Sequence, residues 1–378
     1  MGQRPHLRTV RWEGVFGAEF TLAAVRERCR ALASTLASHR WSCLAAYDTR
    51  FMASQYALDA YRLLEAGGVS VSIAAAAAPM PAIELALSQR KADCALVVSA
   101  ANRPYWFAGL IVLAPLSGPA LQDLFERPAP MLDLDTSPFP PPPEIGQSGQ
   151  VDLRGPYIDS LREAVDIELI RRSPLTIFVD AMNGTASGCI PAVLGEGAQA
   201  KAIEINRETD ALFGRQTPQP TEVGLQRLRK LVRESESHLG VAISADGRAI
   251  AVADHTGELV PPLDLALLLA QYLSGQHRQR GLVVAPASGP EPEGWLKAWE
   301  EASGVRVELS SDPAARIAEV VERDRSSLLV GITPNGEVTL GRYSPSADGT
   351  LSALVLAEAV ARYGEKLRTL VEQAKGRP

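Results

Sequence analysis

The sequence predicts an α/β protein of three tandem segments, each a mostly parallel mixed sheet covered by helices. Two observations lead there. Short apolar runs rich in Val, Ile, Leu and Ala alternate with amphipathic stretches of roughly a dozen residues, the grammar of strands joined by crossover helices. The alternation continues over 378 residues, more than one hydrophobic core accommodates, and the run Pro140 to Pro143 interrupts it as a stiff spacer. The predicted domains are 1–136, 150–258 and 259–378, with a linker at 137–149.

In the first segment the periodicity predicts helices at 22–38, 55–66 and 82–90 and strands at 43–47, 69–73 and 95–98. Ala74 to Ala78 is a tight strand-to-helix connection. The second segment opens with an amphipathic helix over 157–171 and a strand at 175–179. A turn, a helix and a further strand follow, then a helix at 221–235 and a hairpin of 240–243 with 249–252. The third begins after Pro261-Pro262 with a helix at 263–274. Strands at 281–284, 305–309 and 327–330 alternate with helices at 293–303 and 312–323. Trp295 and Trp299, four apart, form a core or interface stripe. One long helix, 350–374, closes the chain. Its Leu354, Leu356, Leu367, Leu370 and Val371 are expected to leave apolar surface uncovered, a face for a partner.

Composition narrows the class. Hydrophobic residues are 46% and charged residues 22%, the balance of a soluble globular chain. A net charge of −6, with acids and bases interspersed, excludes the basic stripe that nucleic acid requires. The most apolar runs, 69–87 and 94–116, are broken by Pro, Glu, Asn or Arg, so no membrane span is predicted. Residues 1–6 lack the apolar core of a signal peptide. Cys29, Cys43, Cys94 and Cys189 have no C-x-x-C spacing and read as reduced, buried thiols in a cytoplasmic protein. The five histidines form no metal-ligand pattern.

Chemistry is written in the loops. Val97-Val98-Ser99-Ala100-Ala101-Asn102-Arg103-Pro104, with Gly109 beyond, reads as a buried strand entering a loop. It resembles the phosphoserine loop of the α-D-phosphohexomutases, the phosphoglucomutase/phosphomannomutase family, whose pattern is Thr-Ala-Ser-His-Asn-Pro and then Asn-Gly. Ser99 falls on the threonine, Ala101 on the phosphoserine, Asn102 on the histidine and Arg103 on the asparagine. The family's opening Gly-Thr-Ser-Gly-x-Arg-Gly is echoed between Thr9 and Thr21 by Thr9 and Gly14, with Glu13 at the arginine. Asp48-Thr49-Arg50, Val179-Asp180-Ala181-Met182-Asn183-Gly184 and Pro218-Gln219-Pro220 match further family turns.

The resemblance implies an Mg²⁺ loop, Asp-Gly-Asp-x-Asp-Arg, between two apolar strands. Here that loop is Ser244-Ala245-Asp246-Gly247-Arg248, with one aspartate, so no cofactor is expected although the family implies Mg²⁺. The family's sugar loop, Gly-Glu-x-Ser-Gly, falls on Gly331 to Gly336, with Thr333 and Asn335 at the altered positions. Asp348-Gly349 begins the closing helix, and the family's fourth, phosphate-clamping domain is expected to be absent.

A methyl group neither accepts nor passes on a phosphoryl group. With the metal loop and sugar loop also altered and the fourth domain expected to be absent, the first expectation is a catalytically inactive phosphohexomutase-like protein, regulatory or assembling through protein contacts. Its partners would be a second copy, or a related active mutase in a heterodimer. A second expectation is a hexose-phosphate sensor, with Arg50, Arg103, Thr333 and Asn335 as substrate-binding residues and Arg248 standing in for the metal's charge. The third is a divergent phosphoglucomutase/phosphomannomutase with intramolecular phosphotransferase activity in carbohydrate metabolism. Ser99, about 6–7 Å from position 101 along the strand, would then be the available hydroxyl.

Overall fold

Apolar strands must be covered on both faces, and those of this chain find their cover in three separate sheets. The computed structural model describes residues 7–115, 121–122, 135–141, 145–146, 149–287 and 294–376. The readings made above for residues 1–6, Pro142, Pro143 and Glu293 lie outside the described residues.

One compact unit comprises Met1–Tyr157 together with Asn183–Thr185 and Glu208–Pro218. Its elements are β1 (Leu7–Val15), α1 (Leu22–Ser38), β2 (Cys43–Tyr47), α2 (Ala53–Ala66), β3 (Val71–Ala74), α3 (Met80–Ser88), β4 (Cys94–Val98), β5 (Phe107–Pro115) and β6 (Gln150–Val151). They form one sheet in the order β1-β5-β4-β2-β3-β6. β2, β3, β4 and β6 run parallel, whereas β1 and β5 pair antiparallel, Leu7 opposite Pro115 and Val15 opposite Phe107. Leu32, Leu44, Leu64, Leu96 and Leu110 are fully buried in the core. Thr21 caps α1, its hydroxyl accepting the Ala24 N–H at 3.3 Å. The start of the linker is fastened to α1: Arg26, almost wholly buried, donates to Asp59 at 2.8 Å, Asp135 at 2.9 Å and the Ser137 carbonyl at 2.8 Å.

The other unit comprises Ile158–Met182, Ala186–Arg207 and Gln219–Pro378 and holds two four-stranded sheets. The first sheet contains β7 (Thr176–Asp180), β8 (Lys201–Ile205), β9 (Leu239–Ile243) and β10 (Ile250–Asp254), ordered β10-β9-β7-β8. β9 and β10 are the expected hairpin, paired antiparallel from Ile243 opposite Ile250. The second sheet contains β11 (Leu282–Pro286), β12 (Arg306–Ser310), β13 (Leu328–Ile332) and β14 (Val338–Thr339), ordered β12-β11-β13-β14. All three sheets are mixed, as expected.

Three expectations change. The helix predicted over 157–171 is two, Arg154–Ala164 and Ile167–Arg172, because the Asp166 carboxylate accepts the Leu169 N–H at 3.0 Å and starts a new helix. The closing helix is also two, Gly349–Tyr363 and Leu367–Ala374, separated by Gly364 at φ 66°. That bend folds the last helix against the Pro262–Gly275 helix, so Leu354, Leu356, Leu367, Leu370 and Val371 are all buried and offer no uncovered face.

Candidate functional site

The loop after β4 is built around one carboxylate. Asp48, at the end of β2, takes the Arg50 N–H at 2.9 Å, the Arg50 Nε at 3.2 Å and the Ser99 hydroxyl at 2.7 Å. Ser99 Oγ in turn accepts the Ala101 N–H at 3.0 Å. Arg50 spends its remaining donors on the loop's carbonyls: Nη2 on Ala101 and Arg103, both at 2.7 Å, and Nη1 on Pro104 at 3.0 Å and Phe107 at 3.1 Å. A planar guanidinium suits such a fan of carbonyls where an ammonium does not. Arg50 is buried, and its guanidinium lies 5.1 Å from the Phe213 ring. It therefore holds the loop in shape. The sequence pointed to Arg50 but not to Asp48 as the hub; the Asp-x-Arg turn was the available signal.

Ala101 sits at φ 45°, in the left-handed region that costs a non-glycine residue roughly 1–2 kcal/mol. The Ser99 and Arg50 bonds hold it there from both sides. Gly109 is required opposite, because a Cβ would approach the Ser99 carbonyl at 2.8 Å and the Trp12 carbonyl at 2.9 Å. Asn102 lies half-buried, its Oδ1 shielded from solvent without a hydrogen-bond partner among the described residues. Arg103 is half exposed, stacked 4.1 Å from the Phe107 ring, and its Nε pairs with Glu13 at 3.1 Å. Glu13 stands where the resembling family has arginine, so the charge pair joins two altered positions.

In the second unit the β9–β10 turn closes on itself. Ser244, with no exposed surface, donates to Asp246 Oδ1 at 2.6 Å and accepts the Ala249 N–H at 2.9 Å. The Arg248 N–H adds a bond to the same Oδ1 at 3.1 Å, and Gly247 supplies the turn at φ 84°. Phosphohexomutases normally work with Mg²⁺. These residues do not fit that ion. One carboxylate remains, one of its oxygens is already doubly hydrogen-bonded, and a guanidinium-bearing residue follows two positions on. Among the described residues no cluster of three or more His, Cys, Asp or Glu side chains has metal-binding geometry.

The 331–336 loop is joined to this hairpin. Ile250 donates to the Gly336 carbonyl at 2.8 Å, and Ala249 bridges Glu337. Gly336, at φ 80°, is pressed on Ile250 where no side chain fits. Thr333 is buried and closes the turn, its hydroxyl accepting the Glu337 N–H at 3.2 Å. Asn335 is exposed and lines a cavity of about 480 Å³ with Gln219, Thr221, Glu222 and Glu258. Amides, a hydroxyl and carboxylates together suit a polyhydroxyl ligand. The first unit thus gathers Ser99, Ala101, Arg103 and Arg50; the second gathers Ser244, Asp246, Arg248, Thr333 and Asn335. No helix among the described residues is long and apolar enough to cross a membrane.

Comparison with known proteins follows the same outline. Residues 5–126 match the phosphoglucomutase/phosphomannomutase α/β/α domain I, and residues 155–257 match domain II. A phosphoglucomutase/phosphomannomutase of Thermococcus kodakarensis is 25% identical over 78% of the chain, which spans 63% of that relative's length. A phosphoglucosamine mutase of Novosphingobium aromaticivorans is 26% identical over 88% of the chain and 73% of its own length. A Thermus thermophilus structure of phosphomannomutase type, 22% identical, superposes with a TM-score of 0.82 over the whole chain and 85% of its own. The Paramecium pp63/parafusin structure gives 0.75 at 15% identity, over 99% of this chain and 74% of its own.

These relatives correct the first functional expectation. Proteins alike across most of the chain carry mutase names, and nothing among them supports an inactive assembly subunit. With two domain matches in tandem and one fold along its full length, the chain belongs to the α-D-phosphohexomutase, or phosphoglucomutase/phosphomannomutase, family.

Proposed function

We propose that this chain is a divergent phosphohexomutase, which takes a hexose or hexosamine phosphate and moves its phosphoryl group between two oxygens of the sugar. The likeness to phosphoglucomutase/phosphomannomutase and phosphoglucosamine mutase over 78% and 88% of the chain carries this reading. Ala101 has no oxygen to offer, so the carrier role passes to another hydroxyl. Ser99 is the serine of the same loop, 2.7 Å from a carboxylate able to take its proton and 3.0 Å from a backbone N–H able to steady the resulting oxygen. The half-exposed Arg103 is the loop's cation for the substrate phosphate.

A second reading, a hexose-phosphate sensor, is favoured by one observation: Ser99 is only 2% exposed. Two measurements separate them. Calorimetry against glucose 6-phosphate and glucosamine 6-phosphate reads binding. ³¹P NMR of glucose 1-phosphate primed with glucose 1,6-bisphosphate reads turnover. Conversion by the wild type that Ser99→Ala abolishes supports the mutase. Saturable heat without conversion supports the sensor, and silence in both refutes the two readings together.

A further inference from the structure

The helix Trp295–Ser303 presents Trp295 and Trp299 on one face, four residues apart, as the sequence suggested. Trp299 is buried with the core and Trp295 is half-buried. They wall a cavity of about 520 Å³ bounded by Gln271, Arg280, Gln373 and Lys375. The cleft opens to solvent, and its volume suits a small molecule. Small residues keep it open: Gly275 ends the Pro262–Gly275 helix, Ala298 and Ala302 lie beside the indoles, and Gly376 follows the last helix.

Its polar groups are of a consistent kind. Arg280 is held by two Nη1 bonds, to the carbonyls of Ser274 at 3.1 Å and Gln279 at 3.0 Å; no described residue takes its Nε or Nη2. Lys375 is anchored at 2.9 Å by Asp264, which lies outside the lining. Neither indole N–H has a hydrogen-bond partner among the described residues. Flat aromatic faces and a planar guanidinium favour a flat ring, the Arg280 guanidinium favours an anion, and the indole donors favour an acceptor.

We infer that this cavity is a second ligand site, separate from the hexose-phosphate reading, for a flat aromatic ring carrying one phosphate or carboxylate. The ring stacks on Trp295 and Trp299 while Arg280 takes the anionic group. Calorimetry on the full chain tests this with AMP and phenylacetate, which distinguish a nucleotide source from an aromatic acid. Adenosine and inorganic phosphate serve as the ring alone and the anion alone. Saturable binding of AMP or phenylacetate is expected, with the corresponding partial ligand at least about tenfold weaker. Arg280→Gln should weaken binding about tenfold. Ala298→Phe, at an exposed position that tolerates the change, should abolish it without lowering the melting temperature. No saturation by AMP or phenylacetate overturns the inference, as does wild-type affinity in either variant.

Discussion

At position 101 one methyl group determines which oxygen of the loop is available. The residue is nevertheless held at φ 45°, where glycine would rest without strain. Replacing Ala101 by Gly removes a left-handed penalty of roughly 1–2 kcal/mol and adds about 0.4–1 kcal/mol of unfolded-state entropy. Urea unfolding should therefore report a net gain of about 0.8 kcal/mol. Ser99→Ala should cost about 1–3 kcal/mol, because the buried Asp48 carboxylate and the Ala101 N–H both lose a partner. The sequence identified the altered loop residue by residue, since a motif is a list of identities. It was silent on who holds whom: that Arg50 faces four carbonyls is a property of the folded loop.

At the scale of elements, helices and buried strands were legible because their apolar periods are strong. The helix at 22–38 and the strand at 43–47 fall where expected. β1 was missed as a strand: Arg8, Arg11 and Glu13 break its apolar pattern, and its register is set by the distant Phe107–Pro115 strand. The helix breaks at Asp166 and Gly364 were missed because the apolar spacing continues through both.

The β7–β9 pair carries a pH dependence. His238 Nδ1 accepts the Thr176 N–H at 3.0 Å, and burial lowers this histidine below its usual 6.5. Between the lowered folded value and 6.5, the unfolded chain binds the proton more readily, so stability falls as pH falls through that window and is fully present above it. His238→Asn, whose side-chain oxygen retains an acceptor, should flatten this dependence in melting curves taken across the window. In the β9–β10 turn, Ser244→Ala should cost about 1–3 kcal/mol by stranding the Ala249 N–H and removing a donor to Asp246. Because one carboxylate serves that turn, Mg²⁺ should leave the melting temperature unchanged.

For the whole molecule, departures at individual loops led to an expectation that the relatives do not support. Ala101, Ser244, Arg248 and Thr333 depart from family positions, and from those departures an inactive assembly subunit was expected; the mutases that match most of the chain correct it. The loops remain ordered by dense internal hydrogen bonding, with Asp48 and Arg50 around one and Ser244 and Asp246 inside another. Such architecture is compatible with hexose-phosphate chemistry that uses a relocated hydroxyl. The most direct test compares conversion of glucose 1-phosphate, primed with glucose 1,6-bisphosphate, by the wild type, Ser99→Ala and Ala101→Ser, followed by ³¹P NMR. A relocated hydroxyl predicts slow conversion by the wild type, none by Ser99→Ala, and at least about tenfold faster conversion by Ala101→Ser, where the oxygen returns to the family position. No conversion by either the wild type or Ala101→Ser would contradict it.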